Sequence, residues 1–394
     1  MKYDESCFTA IFGIFRKNGP GSGSRMAWRI GLLSTCIAAL GSCGGISGPR
    51  DGRVTDPEEV KRLIIATWNV QALFDGEEAG NEYTEYRMAA GWSEEKYRAR
   101  LTALGDAVAR MTEEGAPDIL ALQEVETGAI LQNLAEGPLA KYGYAWTFFA
   151  GNAEAPLGLG LLSRLPLLET KTHSITCNGE TSPRPMAEVR MEAGKRPLVL
   201  FICHWKSKVE GDDATEALRR ASAQTVLRRL REIGVTGPDV PVIILGDLNE
   251  NHDEFYRREG AAGIALLPDD PEAAELSEAA QDGGAETRAD FLVISGQKPP
   301  CPRYFAQETP TLYSPWVQEL ENGTYYYQGG WETLDHFLLT PGFFDDQGWE
   351  FDACEAPRRE PFINDRGIPR TYNPRTGNGL SDHLPLLLML TRVD

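Results

Sequence analysis

Short β-branched apolar runs punctuate the chain, and each breaks off at a polar residue. Leu63-Ile64-Ile65-Ala66-Thr67-Trp68-Asn69-Val70 is the first and reads as a buried strand. A polar, glycine-bearing loop is expected from Asp75 to Trp92. Ser93 then suits a helix N-cap, with Glu94 and Glu95 in the first turn. Leu101, Leu104, Ala107, Val108 and Met111 follow at helical spacing, and Pro117-Asp118 closes the segment. Ile119-Leu120-Ala121-Leu122-Gln123-Glu124 reads as the next strand.

Strand-like runs recur at Leu159 to Ser163, Met186 to Met191 and Pro197 to His204. A second helix is predicted from about Ala214 to Ile233, with Leu218, Ala221, Thr225, Leu227 and Leu230 on its apolar face. Val242-Ile243-Ile244-Leu245-Gly246-Asp247 is a buried strand running into a turn. From about Glu254 to Pro300 the chain is acidic and rich in Ala and Gly, a helical or loopy excursion with one strand at Phe291 to Ile294. Strands return at Thr333 to Leu339 and Leu384 to Leu390. Strands first alternate with helices and later follow one another directly. That order suits an α/β fold in one domain over 61–394: two packed sheets with helices outside, a four-layer α/β sandwich.

The N-terminus has a different character. Arg29 precedes an apolar run from Ile30 to Leu40, too short to span a bilayer but suited to a signal peptide. The run ends in Leu40-Gly41-Ser42-Cys43, similar to a bacterial lipoprotein signal, which would make Cys43 the lipidated first residue of an exported protein. Residues 1–43 are therefore expected to be an extension plus signal, with Met26 as the start of translation, and 44–60 a Gly/Ser/Pro-rich tether. Seven cysteines occur. None forms a Cys-x-x-Cys pair, which argues against a thiolate zinc site, and sequence assigns no disulfide among Cys177, Cys203, Cys301 and Cys354. A net charge of -19 excludes a protein that grips nucleic acid through a general positive field, but not a nuclease with local cations and a bound metal.

Polar residues stand at the strand ends in a series: Asn69, Glu124, His204 and Asp247 with Asn249 where strands stop, Asp335-His336 where a late strand starts, and Asp382-His383 just before the last. Any one of them alone is more simply a turn residue. Strand ends on one edge of a sandwich converge, however, so the set is expected to share a cleft. Trp68-Asn69-Val70, Gln123-Glu124-Val125, His204-Trp205, Gly246-Asp247-Leu248-Asn249, Leu334-Asp335-His336-Phe337 and Ser381-Asp382-His383 resemble, in this order, the motifs of the endonuclease/exonuclease/phosphatase superfamily, whose members include deoxyribonuclease I. The resemblance runs from about Leu63 to the end of the chain.

It implies a monomeric, divalent-metal-dependent phosphoesterase. Glu124, Asn69 and Asp382 would hold Mg²⁺ or Mn²⁺, which needs hard oxygen ligands but few carboxylates. Asp247 would orient and deprotonate water, with Asn249 positioning water or phosphate. His383, oriented by Asp335, and His204 would act on the phosphate. Lys206 with Arg219 or Arg220 would add positive charge for the substrate; solvated helix charges are the alternative. His173 is expected at the surface, His252 as loop decoration, and His336 pointing away from the cleft by strand alternation. Tyr325-Tyr326-Tyr327 and Trp331 would either stack on a ring-shaped substrate or pack a strand. The substrate expected is nucleic acid outside the cell. Small phosphoesters or lipid headgroups come next, the membrane tether favouring the latter. A non-enzymatic binding lipoprotein would be expected to lose a metal carboxylate or the Asp-His pair, and here all stand.

Overall fold

Alternate residues of the first strand bury into two different cores. Ile64, Ala66 and Trp68 share one with the helix residues Leu101, Leu104, Ile130 and Leu131. Leu63 and Ile65 share the other with Leu388, Leu390, Ile243 and Phe337. A strand covered on both faces is what the unbroken apolar run anticipates. The computed structural model describes residues 60–393, apart from 153–154, 235–239, 261–263, 272, 274–289 and 299–309. The expected signal and lipidation site lie outside the described residues, as do Cys301 and all of the expected tether but Val60, which packs against the second core. Cys177, Cys203 and Cys354 are free thiols.

Strands are numbered along the chain. The first sheet contains β1 (Arg62–Leu73), β2 (Ile119–Val125), β3 (Trp146–Ala150), β4 (Gly158–Ser163), β17 (Gly348–Glu355) and β18 (Leu386–Val393), in the order β17-β18-β1-β2-β4-β3. The second contains β5 (Leu167–His173), β8 (Met186–Met191), β9 (Leu198–His204), β10 (Val242–Asp247), β11 (Leu266–Pro268), β12 (Leu292–Ser295), β13 (Leu312–Tyr313) and β16 (Asp335–Leu339), in the order β11-β12-β13-β16-β10-β9-β8-β5. Two small hairpins, β6 (Thr176–Cys177) with β7 (Glu180–Thr181) and β14 (Tyr325–Tyr327) with β15 (Gly330–Glu332), stand apart.

The two large sheets pack face to face through Leu161, Leu200, Leu245, Leu339 and Leu386 among others. Helices α1 (Glu94–Val108) and α2 (Gly128–Glu136) cover the first sheet. Helix α3 (Asp212–Glu232) covers the second, setting Ala223, Val226, Leu227 and Leu230 against Val199, Phe201, Val242 and Ile244. The result is the four-layer α/β sandwich that the sequence predicts. Ser93 caps α1 by accepting a hydrogen bond from the Lys96 amide. The acidic excursion contributes only the single turn α4 (Glu254–Arg257) and two strands among its described residues. The loop from Asp75 to Trp92 is more ordered than its polarity suggests, because Tyr86 and Trp92 bury and meet edge-on at 4.9 Å.

Candidate active site

Pairing register aligns the strand ends at one edge of the sandwich. His204 ends β9 opposite Asp247, which ends β10 and lies opposite Asp335 at the start of β16. In the first sheet Asn69 and Gln123 are partners in parallel strands, with a bulge after them that places Glu124 at the same edge. Asn69 joins the sheets: its Nδ2 donates to Asp247 Oδ2 at 3.0 Å and to Glu124 Oε1 at 3.3 Å.

Local conformation aims each group. Gly246 has a φ of +125°, and a Cβ there would lie 2.0 Å from the carbonyl oxygen of Cys203, so only glycine fits before Asp247. Asn249, at a φ of +51°, turns back so that its amide donates to Asp247 Oδ1 at 2.9 Å. This leaves Oδ2 facing the cleft. Gln71 and Ala72 also have positive φ, an unusual conformation for two consecutive non-glycine residues. The turn is held by Arg100 of α1, whose buried guanidinium donates to the carbonyls of Val70, Gln71 and Ala72 and lies over the Tyr372 ring. The Ala72 amide so placed donates to Glu124 Oε2 at 2.7 Å.

The last motif is tied to the first strand. Ser381 Oγ donates to the Asn69 carbonyl at 2.6 Å, and Trp68 Nε1 donates to the His383 carbonyl at 3.0 Å. His383 Nδ1 lies 2.8 Å from Asp335 Oδ2, which also accepts from Thr324 Oγ1. Burial alone would lower the His383 pKa, but Asp335 beside it, with Asp247 and Asp382 nearby, overrides burial and lifts it to about 10. His204 is held well below the ordinary imidazole range by burial, by Arg184 and by His383. Its Nε2 lies 3.6 Å from Asp247 Oδ2 and 3.7 Å from Glu124 Oε1. Asp247 rises to about 7, chiefly through burial, with His383 opposing. Asp382 is likewise raised by burial and by the Glu124 carboxylate, with His383 opposing. One imidazolium, one neutral imidazole and a weakly acidic carboxyl thus meet within a cleft of about 620 Å³.

The donor set fits a hard divalent cation. Glu124 and Asp382 repel each other across the cleft, and an amide side chain stands beside them. No group of three or more His, Cys, Asp or Glu is gathered as ligands among the described residues. Two carboxylates match Mg²⁺ or Mn²⁺, which retain waters, better than a closed zinc cage, while Asn69 Oδ1 accepts from the Gln71 amide at 3.0 Å and would serve the metal only on leaving that bond.

The structure brings Asn69, Glu124, His204, Asp247, Asn249, Asp382 and His383 to this cleft, with Asp335 directly behind His383. It does not bring the three expected substrate cations there. Arg219 is 1% exposed, donates to Thr215 Oγ1 and the Lys206 carbonyl, and faces Glu250 at 3.9 Å, because it lies on the sheet side of α3. Arg220 bonds Glu216 and covers the Phe291 ring. Past Lys206, it is Ser207 and Lys208 that line the cleft. The cleft's cations are instead Lys208, paired with Glu254, Arg257, paired with Asp253, and Arg184. Arg184 was not singled out from sequence; the Ser182-Pro183-Arg184-Pro185 turn directly before a buried strand was its only signal. His336 is buried against the Glu250 carbonyl, away from the cleft as alternation requires, and His252 bonds Thr333. His173 is not a plain surface residue: its Nε2 meets Glu188 Oε2 at 2.7 Å.

Two stacked sheets whose ends present a buried acid, two imidazoles and a metal-suited carboxylate pair define a hydrolase of the phosphoester class. The family model for the Endonuclease/Exonuclease/phosphatase family matches residues 66–383. The chain belongs to that family, and is a phosphoester-hydrolysing enzyme by that membership. Among solved structures, TDP2 of D. rerio humanized by 14 mutations matches at 16% identity, with 84% of this chain and 99% of that chain covered and a TM-score of 0.48. The human Nocturnin catalytic domain with bound sulfate matches at 16% identity, with 84% and 94% covered and a TM-score of 0.47. An endonuclease/exonuclease/phosphatase family protein from Bacteroides thetaiotaomicron matches at 13% identity, with 84% and 98% covered and a TM-score of 0.45. No curated protein matches the chain by sequence.

Proposed function

We propose that this protein is a divalent-metal-dependent nuclease that hydrolyses phosphodiester bonds of nucleic acid. The observation that carries the reading is the convergence on Asp247 Oδ2 of Asn69 Nδ2 at 3.0 Å, His204 Nε2 at 3.6 Å and His383 Nε2 at 4.0 Å. Glu124, Asn69 and Asp382 would hold Mg²⁺ or Mn²⁺, which supplies charge neutralisation at a phosphoryl oxygen. Asp247, its Oδ1 fixed by the Asn249 amide, orients an attacking water through Oδ2 and accepts its proton. A carboxylate lifted to about 7 is a better base than an exposed one. His383, kept protonated by Asp335, donates from Nε2 to a phosphoryl oxygen as charge builds there. His204 stays neutral and positions the same group, and Arg184 adds a fixed positive charge.

Repulsion favours a diester over a monoester. Glu124, Asp247, Glu254, Glu332 and Asp382 all line the cleft, so a dianionic monoester would meet more opposing charge than a monoanionic diester. We also propose that the protein is exported and anchored through Cys43, as the Arg29-to-Cys43 pattern supports, so its substrate would be nucleic acid outside the cell.

The test is incubation of the purified mature domain with plasmid DNA and Mg²⁺ or Mn²⁺, beside the Asp247→Ala variant and a chelator control. Nicking that requires the metal and Asp247 is the expected result. Hydrolysis of small phosphoesters or phospholipids without nicking would replace the nuclease reading.

A further inference from the structure

The β14–β15 hairpin divides its aromatic residues between two faces. Tyr326 and its partner Trp331 pack edge-on at 5.2 Å, and the Arg358 guanidinium covers Trp331 at 4.1 Å. That side anchors the hairpin to the domain. Tyr325 and Tyr327, one residue to either side, line the cleft instead, as strand alternation requires. Their rings lie 6.1 Å apart and only 17° from parallel. The Tyr325 ring lies 4.7 Å from that of His383, and a backbone bridge joins the same two residues. Tyr327 is 52% exposed, an open aromatic face at the outer end of the row.

The turn that holds this row is tight. Gln328 and Gly329 both have positive φ, the two-residue type I′ geometry that closes a hairpin with little freedom. Gln328 also donates to the Tyr327 hydroxyl at 3.0 Å. A single exposed aromatic ring is ordinary and needs no explanation of its own. Here it extends a stack that begins on the imidazole proposed to touch the phosphate.

We propose that Tyr325 and Tyr327 form a stacking platform for the nucleobase next to the scissile phosphate, with Tyr327 taking the base face. The inference rests on the nucleic-acid reading of the same cleft and names what that reading leaves open, the part of the substrate beyond the phosphate. Every base has a π-face, so the platform favours nucleotides over other phosphoesters without selecting a sequence.

The test is a calorimetric titration of the intact protein in Mg²⁺ with two monoanionic diester probes that carry the same phosphate, the methyl esters of deoxyadenosine 5′-monophosphate and of deoxyribose 5-phosphate. Stacking of one base contributes enough that the nucleotide should bind about 5- to 150-fold more tightly. The preference should persist in Tyr327→Phe and collapse in Tyr327→Ala, whose exposed position leaves folding intact. Equal binding of both probes by the wild type, no detectable nucleotide binding, or a preference surviving in Tyr327→Ala would each overturn the platform. Plasmid nicking by the same preparations reports separately on the nuclease reading. A protein that prefers the nucleotide yet leaves DNA intact keeps the platform and loses that reading.

Discussion

His383 Nδ1 meets Asp335 Oδ2 at 2.8 Å although 48 residues of chain separate them. The contact joins the start of β16 in one sheet to the segment that leads into β18 in the other. It fixes which imidazole nitrogen faces the cleft and sustains the charge on the ring. Asp335→Asn keeps the shape and removes the charge. Turnover on a phosphodiester is expected to fall about 10²- to 10⁴-fold, with KM changing far less. Steady-state kinetics check this, and an unchanged kcat would reduce the pair to a structural contact.

Asp247 is a carboxylate whose burial works against the fold. Its pKa is raised above the unfolded value, so at pH above about 7 it costs stability that a neutral residue would not. Asp247→Asn keeps one oxygen to accept from the Asn249 backbone amide, gives up the bond from Asn69 Nδ2, and carries no charge to desolvate. The variant is expected to be inactive yet to melt at or above the wild-type temperature at pH 8 without added metal, a trade of stability for activity. Differential scanning calorimetry of the two metal-free proteins checks it, and a lower melting temperature would contradict it.

Two arginines predict opposite phenotypes. Arg184→Ala should leave folding intact and lower kcat/KM by about 10-fold or more, the usual worth of a charge-assisted contact to a phosphate. Arg219→Ala should instead remove the cation facing Glu250, whose Oε1 keeps the Ala265 and Leu266 amides, and lower stability by about 1–3 kcal/mol. Urea titration beside kinetics separates them. Loss of activity without loss of stability in Arg219→Ala would return that residue to the substrate.

Glu188 supplies a pH dependence remote from the cleft. Burial alone would raise its pKa, but hydrogen bonds from His173 and Arg229 and the charge of Arg229 hold it at about 2. A depressed carboxyl contributes stability that is fully present above its unfolded value, ~4.3, and lost as pH falls through about 2. Glu188→Gln should therefore cost about 2–3 kcal/mol at pH 7 and almost nothing near pH 2. Denaturant midpoints at both pH values test this, and a cost that does not shrink with acid would mean packing dominates.

The sandwich was legible because its strands are runs of Ile, Leu and Val, and its candidate catalytic edge because polar residues stand where those runs stop or start. Asn69, Glu124, His204, Asp247 and His383 announce themselves this way. What sequence could not convey is which side of an element faces the cleft. Arg219 and Arg220 stand near His204-Trp205-Lys206 in the chain, but α3 turns one inward and lays the other on Phe291. Nothing in the sequence sets Arg100 apart from other helix charges, yet it clamps the turn that holds Glu124. The aromatic run posed a choice between packing and stacking, and the β14–β15 hairpin packs Tyr326 against Trp331 while turning Tyr325 and Tyr327 to the cleft.

The ties from Ser381 and His383 back to β1, and the place of β18 between β17 and β1, have a consequence for the protein as it is being made. A chain halted on the ribosome between Asp247 and this segment already carries Glu124, His204 and Asp247. It has neither the imidazolium nor the central strand that brings the first sheet together. Phosphoester hydrolysis is therefore expected only once this last segment has been made, because a fragment that stops short of it lacks the assembled cleft.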